Sequence, residues 1–205
     1  MSKGLLIVIS APSGGGKGTI LKELFAQDEN LRLSVSATTR KPRPGEEHGK
    51  QYYFIGKDEF EQLISERKML EYAEYIGNYY GTPKAPVEEW TGQGRDVVLE
   101  IEVQGGKQIK ELMPDCVSVF ILPPSMKVLE KRLRDRGTED DATVQKRLNK
   151  ARAEIPCAKD YDYVVYNDKL EDAVADLEAI IRAEKRKFSR NRDSMERVLQ
   201  DAETF

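Results

Sequence analysis

The 205-residue chain is long enough for one sizeable core with a small insertion and too short for two full domains. Charged residues make up 34% of it, and 33 Lys and Arg against 36 Asp and Glu leave a formal net charge of −3, so no general pull toward nucleic acid exists and any basic site must be local. Two cysteines, Cys116 and Cys157, match no metal or redox spacing and exclude a disulfide framework, while the apolar run near the start is far too short to span a bilayer. With no signal-peptide pattern, a cytoplasmic protein without membrane partners is expected.

The run Leu5-Leu6-Ile7-Val8-Ile9 predicts a buried strand that feeds the loop Ala11-Pro12-Ser13-Gly14-Gly15-Gly16-Lys17-Gly18-Thr19. Glycines let successive backbone N–H groups turn inward around an anion, a following helix points its positive end at the same spot, and Lys17 adds a full charge. Ser13 to Thr19, with Gly14, Gly15, Gly16, Lys17 and Gly18 between them, therefore read as a phosphate cradle. The strict pattern G-x-x-x-x-G-K-[ST] fails at both ends, because Ala11 stands at the first glycine and Gly18 follows the lysine. Thr19 supplies its hydroxyl one position late, which leaves open which hydroxyl meets a magnesium ion. A dinucleotide pattern counted from Gly14 breaks at Thr19.

Residues 34 to 84 read as an inserted, partly antiparallel lobe, since Tyr52-Tyr53-Phe54-Ile55 and Tyr79-Tyr80 alternate with Gly, Pro and Asn turn signals. The expected division is a core of residues 1–34 and 85–205 with a lobe of residues 35–84. Within the lobe, prolines hold Ser36-Ala37-Thr38-Thr39-Arg40-Lys41-Pro42-Arg43-Pro44-Gly45-Glu46 extended, so that Arg40 and Arg43 form a pair of planar forks suited to a phosphate. On this stretch alone a plain basic loop is an equal reading; the cradle favours the phosphate site, because a bound donor phosphate wants an acceptor.

Farther along, Asp96-Val97-Val98-Leu99-Glu100-Ile101-Glu102, Val117–Leu122 and Tyr163–Tyr166 are apolar strands followed by helix-compatible sequence, which predicts a parallel sheet covered on both faces. Period two puts Glu100 and Glu102 on one face at the carboxyl end of their strand, where ligands of open α/β sheets gather. From Met126 to Ile155 a charged helical hairpin is interrupted by Gly137-Thr138-Glu139-Asp140-Asp141, a polar tip fit for a lid over residues 125–155. The last helix, Leu170 to Phe188, should pack Ala173, Val174, Leu177, Ile180 and Ile181 on the sheet, and the basic cluster from Arg182 to Arg192 reads as a solvated face.

Five ordered motifs give the chain a resemblance. S-A-P-S-G-G-G-K-G-T, S-A-T-T-R-K-P-R-P-G-E, G-N-Y-Y-G-T at 77–82, L-E-I-E-V-Q-G at 99–105 and R-G-T-E at 136–139 together resemble guanylate kinases, which move the terminal phosphoryl group of ATP onto GMP. The resemblance implies a three-layer P-loop α/β core with a helical lid, and a magnesium ion entering with ATP, to which Thr19 is a candidate ligand unless water intervenes. It implies that Arg40, Arg43, Tyr52 and Tyr80 hold the GMP phosphate, while Glu71, Ser36 and Thr82 read the base. A carboxylate with a hydroxyl complements guanine, which offers two N–H donors beside a carbonyl. Glu100 and Glu102 occupy positions that are commonly Asp in the family; the extra methylene favours contact through water, or with guanine and the arginines. Arg136 and Arg147, with Arg132, would close on the transferring group, and Asn167-Asp168 would meet the adenine. A homo-oligomer is left open. The rival is a scaffold domain that binds phosphorylated partners without turnover, and Lys17, Arg136 and Arg147 favour the enzyme.

Overall fold

The computed structural model describes residues 3–75, 77–135, 137 and 139–202. Strand β1 (Leu6–Ser10) is buried along its whole length and leads through the glycine loop into α1 (Lys17–Gln27). Then follow β2 (Leu31–Leu33), β3 (Ala37–Thr38), β4 (Tyr53–Phe54), α2 (Lys57–Ser65), β5 (Met69–Tyr75), β6 (Asn78–Pro83) and α3 (Lys84–Gly92). The second half runs β7 (Asp96–Glu100), α4 (Val103–Leu112), β8 (Val117–Leu122), α5 (Met126–Asp135), α6 (Asp141–Glu154), a 3-10 turn at Ile155–Asp160, β9 (Tyr163–Tyr166), α7 (Leu170–Lys185) and α8 (Arg192–Ala202). Among the described residues no helix is long and apolar enough to cross a membrane.

Five strands form a parallel sheet in the order β2-β7-β1-β8-β9. Alternation divides β1 between two cores. Ile7 and Ile9 pack with Ile20 and Leu24 of α1 and with Ala173, Val174, Leu177 and Ile181 of α7. Leu6 and Val8 face the opposite layer, with Val87 of α3, Ile109 of α4 and the half-buried Trp90. The three-layer architecture expected from the apolar runs is therefore present. Helices α5 and α6 form the expected hairpin and bury Leu129, Leu133, Val144, Leu148 and Ala151 between themselves. A four-stranded sheet, β4-β3-β6-β5, holds its own small core of Ala37, Phe60 and Met69. It is mixed: β3 pairs parallel with β4, and β6 antiparallel with both β3 and β5.

Three details differ from the sequence reading. The edge strand β2 has three residues, too short for its periodicity to stand out. Strand β7 stops at Glu100, and Glu102 is the N-cap of α4, so the two carboxylates do not share a strand face. The basic cluster is not simply a solvated face. Lys185 pairs with Asp96, and Lys187 and Arg190 pair with the buried Glu184. Asp96 is 1% exposed and also accepts the Leu5 N–H at 2.9 Å and the Asn30 amide at 3.2 Å, tying the entry of β1 to the last long helix. Asp96→Ala leaves a buried N–H unpaired and is expected to lower the unfolding free energy by about 2–3 kcal/mol, read from urea denaturation.

Candidate functional site

The cradle forms because two glycines take backbone angles that side chains resist. Gly14 and Gly16 have φ of 87° and 86°, and a Cβ built on Gly16 would lie 2.3 Å from the Asn167 amide nitrogen. That amide donates to the Gly15 carbonyl at 2.7 Å, so Asn167, from the end of β9, locks the loop and has its nitrogen engaged there. Lys17 opens α1. Its ammonium donates to the Ile101 carbonyl at 3.3 Å and stands 3.8 Å from Glu100 Oε1. Burial pushes the Lys17 pKa down, while the carboxylates of Glu100, Glu102 and Glu154 work against that shift. The sheet register sets this distance, because Ile9, just before the loop, lies beside Glu100.

Helix α6 sits directly on the loop. The Ser13 N–H donates to Glu154 Oε2 at 3.0 Å, and the Ser13 hydroxyl accepts from Arg147 Nε at 2.9 Å. Arg147 is anchored on Glu139 at 2.6 Å. One cleft of about 400 Å³ runs along the loop from Ala11 to Thr19 and is closed by Glu102, Lys150 and Glu154. On the other flank, a cleft of about 450 Å³ is lined by Gly14, Gly16, Thr19, Arg132, Asn167 and Asp168. Arg132 donates from Nη2 to the Asp168 carbonyl at 3.3 Å, and its Nη1 is buried with no protein partner. Arg136, the third expected lid cation, lies outside the described residues. Gly18 and Thr19 are exposed.

A third cleft, of about 290 Å³, lies between the two sheets and brings together Ser36, Tyr52, Glu71, Tyr80, Glu100 and Glu102. Glu71 is 7% exposed and accepts the Thr82 hydroxyl at 2.7 Å. Burial pushes its carboxyl pKa up, and the Thr82 hydrogen bonds oppose the shift. A bulge between Met69 and Glu71 lets Leu70 reach the main core, so neighbouring residues of one strand serve two different interiors.

The two expected forks are not equivalent. Arg40 meets Glu46 end-on, Nη1 and Nη2 each at 2.9 Å, and lies 5.5 Å from the Tyr52 ring centre. Glu46 also accepts the Arg43 N–H at 2.7 Å, but the Arg43 side chain is exposed. Three contributors escaped the sequence reading. Glu46 sits inside the R-K-P-R-P-G-E run, and that placement was its signal. Lys150 and Glu154 are one turn apart on α6, and a lysine and a glutamate four apart on a charged helix look like any surface pair. Lys150 in fact bonds both Glu102 oxygens, at 3.1 and 3.0 Å, and lies 5.6 Å from the Tyr75 ring centre. Glu102 lines both the cradle and the cleft between the sheets, so the two meet there.

A parallel sheet whose central strand feeds a glycine cradle, with a polar cleft joined to it, defines the class of P-loop nucleotide-binding proteins. The family model described as guanylate kinase matches residues 3–184. A guanylate kinase of Clostridioides difficile is 51% identical over 190 residues, 93% of each chain, and one of Lactococcus lactis is 53% identical over 182 residues, 89% of each. The crystal structure of guanylate kinase from Anaplasma phagocytophilum superimposes with a TM-score of 0.74 at 38% identity, covering 92% of this chain and 90% of that one. The chain belongs to the guanylate kinase family.

Gly16→Ala should strain the loop by about 1–2 kcal/mol and force Asn167 away from Gly15. The expected result is a folded protein with weakened nucleotide binding, measured by calorimetric titration, and circular dichroism unchanged.

Proposed function

We propose a division of labour among these clefts for the reaction in which the protein transfers the terminal phosphoryl group of ATP to GMP, giving ADP and GDP in purine nucleotide metabolism. The observation that carries it is a buried carboxylate, Glu71, held by Thr82 in a cleft that joins the phosphate cradle at Glu102. Segment 35–84 serves as the acceptor lobe, the remainder as the core, and residues 125–155 as the lid. A cytoplasmic location, where ATP and GMP are available together, is part of this reading.

ATP phosphates take the loop N–H groups from Ser13 to Thr19 and the Lys17 ammonium, with the Asn167–Asp168 flank left for the adenine. GMP lies in the cleft between the sheets. Its guanine N–H donors meet Glu71, its carbonyl meets the Ser36 hydroxyl, and Thr82 acts through Glu71. Arg40, Tyr52 and Tyr80 hold its phosphate, and Arg43 swings in from the surface. Glu46 fixes one edge of the Arg40 guanidinium and leaves other N–H groups for the ligand.

Phosphoryl transfer needs alignment and charge neutralisation more than a protein nucleophile. A GMP phosphate oxygen forms the new bond to the terminal phosphorus as the bond to the ADP oxygen breaks. Lys17, Arg147, Arg136 and Arg132, whose Nη1 has no protein partner, take up the spreading negative charge. Among the described residues, no group of three or more His, Cys, Asp and Glu is arranged to hold a metal by itself. The donor set instead suits a magnesium ion carried by phosphates, which the exposed Thr19 would hold, with Glu102 in the same cleft and Glu100 in the adjoining one contributing through water. Such an ion supplies charge neutralisation at the phosphates.

Lys17→Ala is expected to cut kcat at least about a hundredfold with GMP affinity retained, since it removes charge stabilisation at the transferring group. Arg40→Ala should instead weaken GMP binding by about 1.5–3 kcal/mol with ATP binding retained. Calorimetry with each nucleotide separates the two; equal loss of GMP binding in both variants contradicts the assignment.

Glu71 must be ionised to accept two N–H groups, and its pKa lies above the ordinary 4.5. On acidification the carboxylate is therefore lost earlier than an ordinary glutamate, and GMP affinity falls with it. Glu71→Gln shares every other titration, including that of the GMP phosphate. The ratio of wild-type to Glu71→Gln affinity for GMP should accordingly shrink as pH falls, beginning above 4.5. A ratio independent of pH counts against Glu71 as the reader of the base.

A further inference from the structure

Strand β5 is the outer strand of the small sheet and bonds to β6 on one side only. An edge strand presents unpaired N–H and C=O groups, and a single residue of it offers one donor and one acceptor in the same direction. At Tyr72 both are taken by one side chain. The Tyr72 N–H donates to Gln108 Oε1 at 3.2 Å, and Gln108 Nε2 donates to the Tyr72 carbonyl at 3.1 Å. The amide thus pairs with the strand as another backbone would. Gln108 stands on α4, which is anchored in the main core through Ile109.

Tyr72 follows Glu71, and one turn before Gln108 on the same helix face is Gly105. A Cβ built on Gly105 would lie 2.7 Å from Glu71 Oε2, so the carboxylate fills the space that the missing side chain leaves. Helix α4 therefore touches the acceptor site twice: Gly105 makes room for the Glu71 carboxylate, and Gln108 grips the backbone beside it. Leu70, just before Glu71, lies in the same core as Ile109 of α4, so β5 is held to that core on one side of Glu71 by an apolar contact and on the other, at the 41% exposed Tyr72, by Gln108.

We infer that Gln108 is a positioning residue for GMP: its paired hydrogen bonds clamp β5 to α4 and thereby set the depth of Glu71 in the cleft. Without the clamp β5 stays anchored at Leu70 but shifts from Tyr72 onward, and the acceptor for the guanine N–H groups loses its fixed place. The ATP cradle belongs to other segments and keeps its geometry. The inference rests on Glu71 reading the base.

Steady-state kinetics of Gln108→Ala and Gln108→Glu test it, with Glu71→Gln as reference and thermal unfolding of each variant as control. Gln108→Ala should raise KM for GMP about tenfold, with KM for ATP and kcat at saturating GMP within about twofold of wild type. Gln108→Glu keeps an acceptor for the Tyr72 N–H but loses the donor to the carbonyl, and should move KM for GMP in the same direction. Both variants should also discriminate less sharply between GMP and AMP. An unchanged KM for GMP in both variants overturns the clamp while Glu71→Gln still loses GMP preference. A parallel change in kcat and both KM values, with a lowered unfolding midpoint, shows a structural role only and also overturns it. If Glu71→Gln keeps full GMP preference, it is the reading of the cleft that fails.

Discussion

The arrangement of this site depends on the side-by-side parallel pairing of β1 with β7. Because Ile9 lies beside Glu100, the glycine loop and the turn after β7 leave the sheet at the same level. Lys17 can then reach both the Ile101 carbonyl and Glu100 from the first turn of α1. Slipping that register by one residue would send Ile7 and Ile9 to the wrong core and carry the loop off the carboxylates. The two cores on either side of the sheet therefore hold the chemistry in place as well as the fold.

Charge compensation is the second common thread. Lys17 stands by Glu100, Arg40 by Glu46, Arg147 by Glu139 and Lys150 by Glu102. Each pairing fixes a long cationic side chain in one geometry and limits the cost of taking it out of water. Under the proposed roles, an incoming phosphate would join donors already aligned, so less binding energy would go into ordering side chains. Glu71 contrasts with these. It is buried with a hydroxyl for a partner, so its charge is stabilised less, and a neutral base with two N–H groups suits it better than a cation would.

The mixed sheet, the hairpin of α5 and α6 and the main sheet each have a separate apolar core. Leu70 links the mixed sheet to the main core, and the other contacts between these parts are largely polar: Lys150 to Glu102 and Tyr75, Arg147 and Glu154 to Ser13, and Gln108 to Tyr72. Polar contacts of this kind exchange with water at little net cost, whereas an apolar seam would not. That is compatible with the proposed lobe and lid moving relative to the core.

The sequence by itself determined the parallel sheet, the glycine loop and the helical hairpin, since each is written in adjacent residues: an unbroken apolar run, three glycines ahead of a lysine, and two charged helices around a polar tip. It also brought Glu71, Ser36 and Tyr80 together as candidates for one site, through the resemblance rather than through spacing. The tertiary structure decided which candidates share a cleft and how they are oriented. That Arg40 is held by Glu46 while Arg43 faces solvent depends on a loop closing back on itself. That Glu102 caps a helix depends on where β7 runs out of neighbours to pair with. Lys150, Glu154 and Gln108 gain their meaning from contacts 36 to 141 residues away in the chain, and no local pattern carries such information.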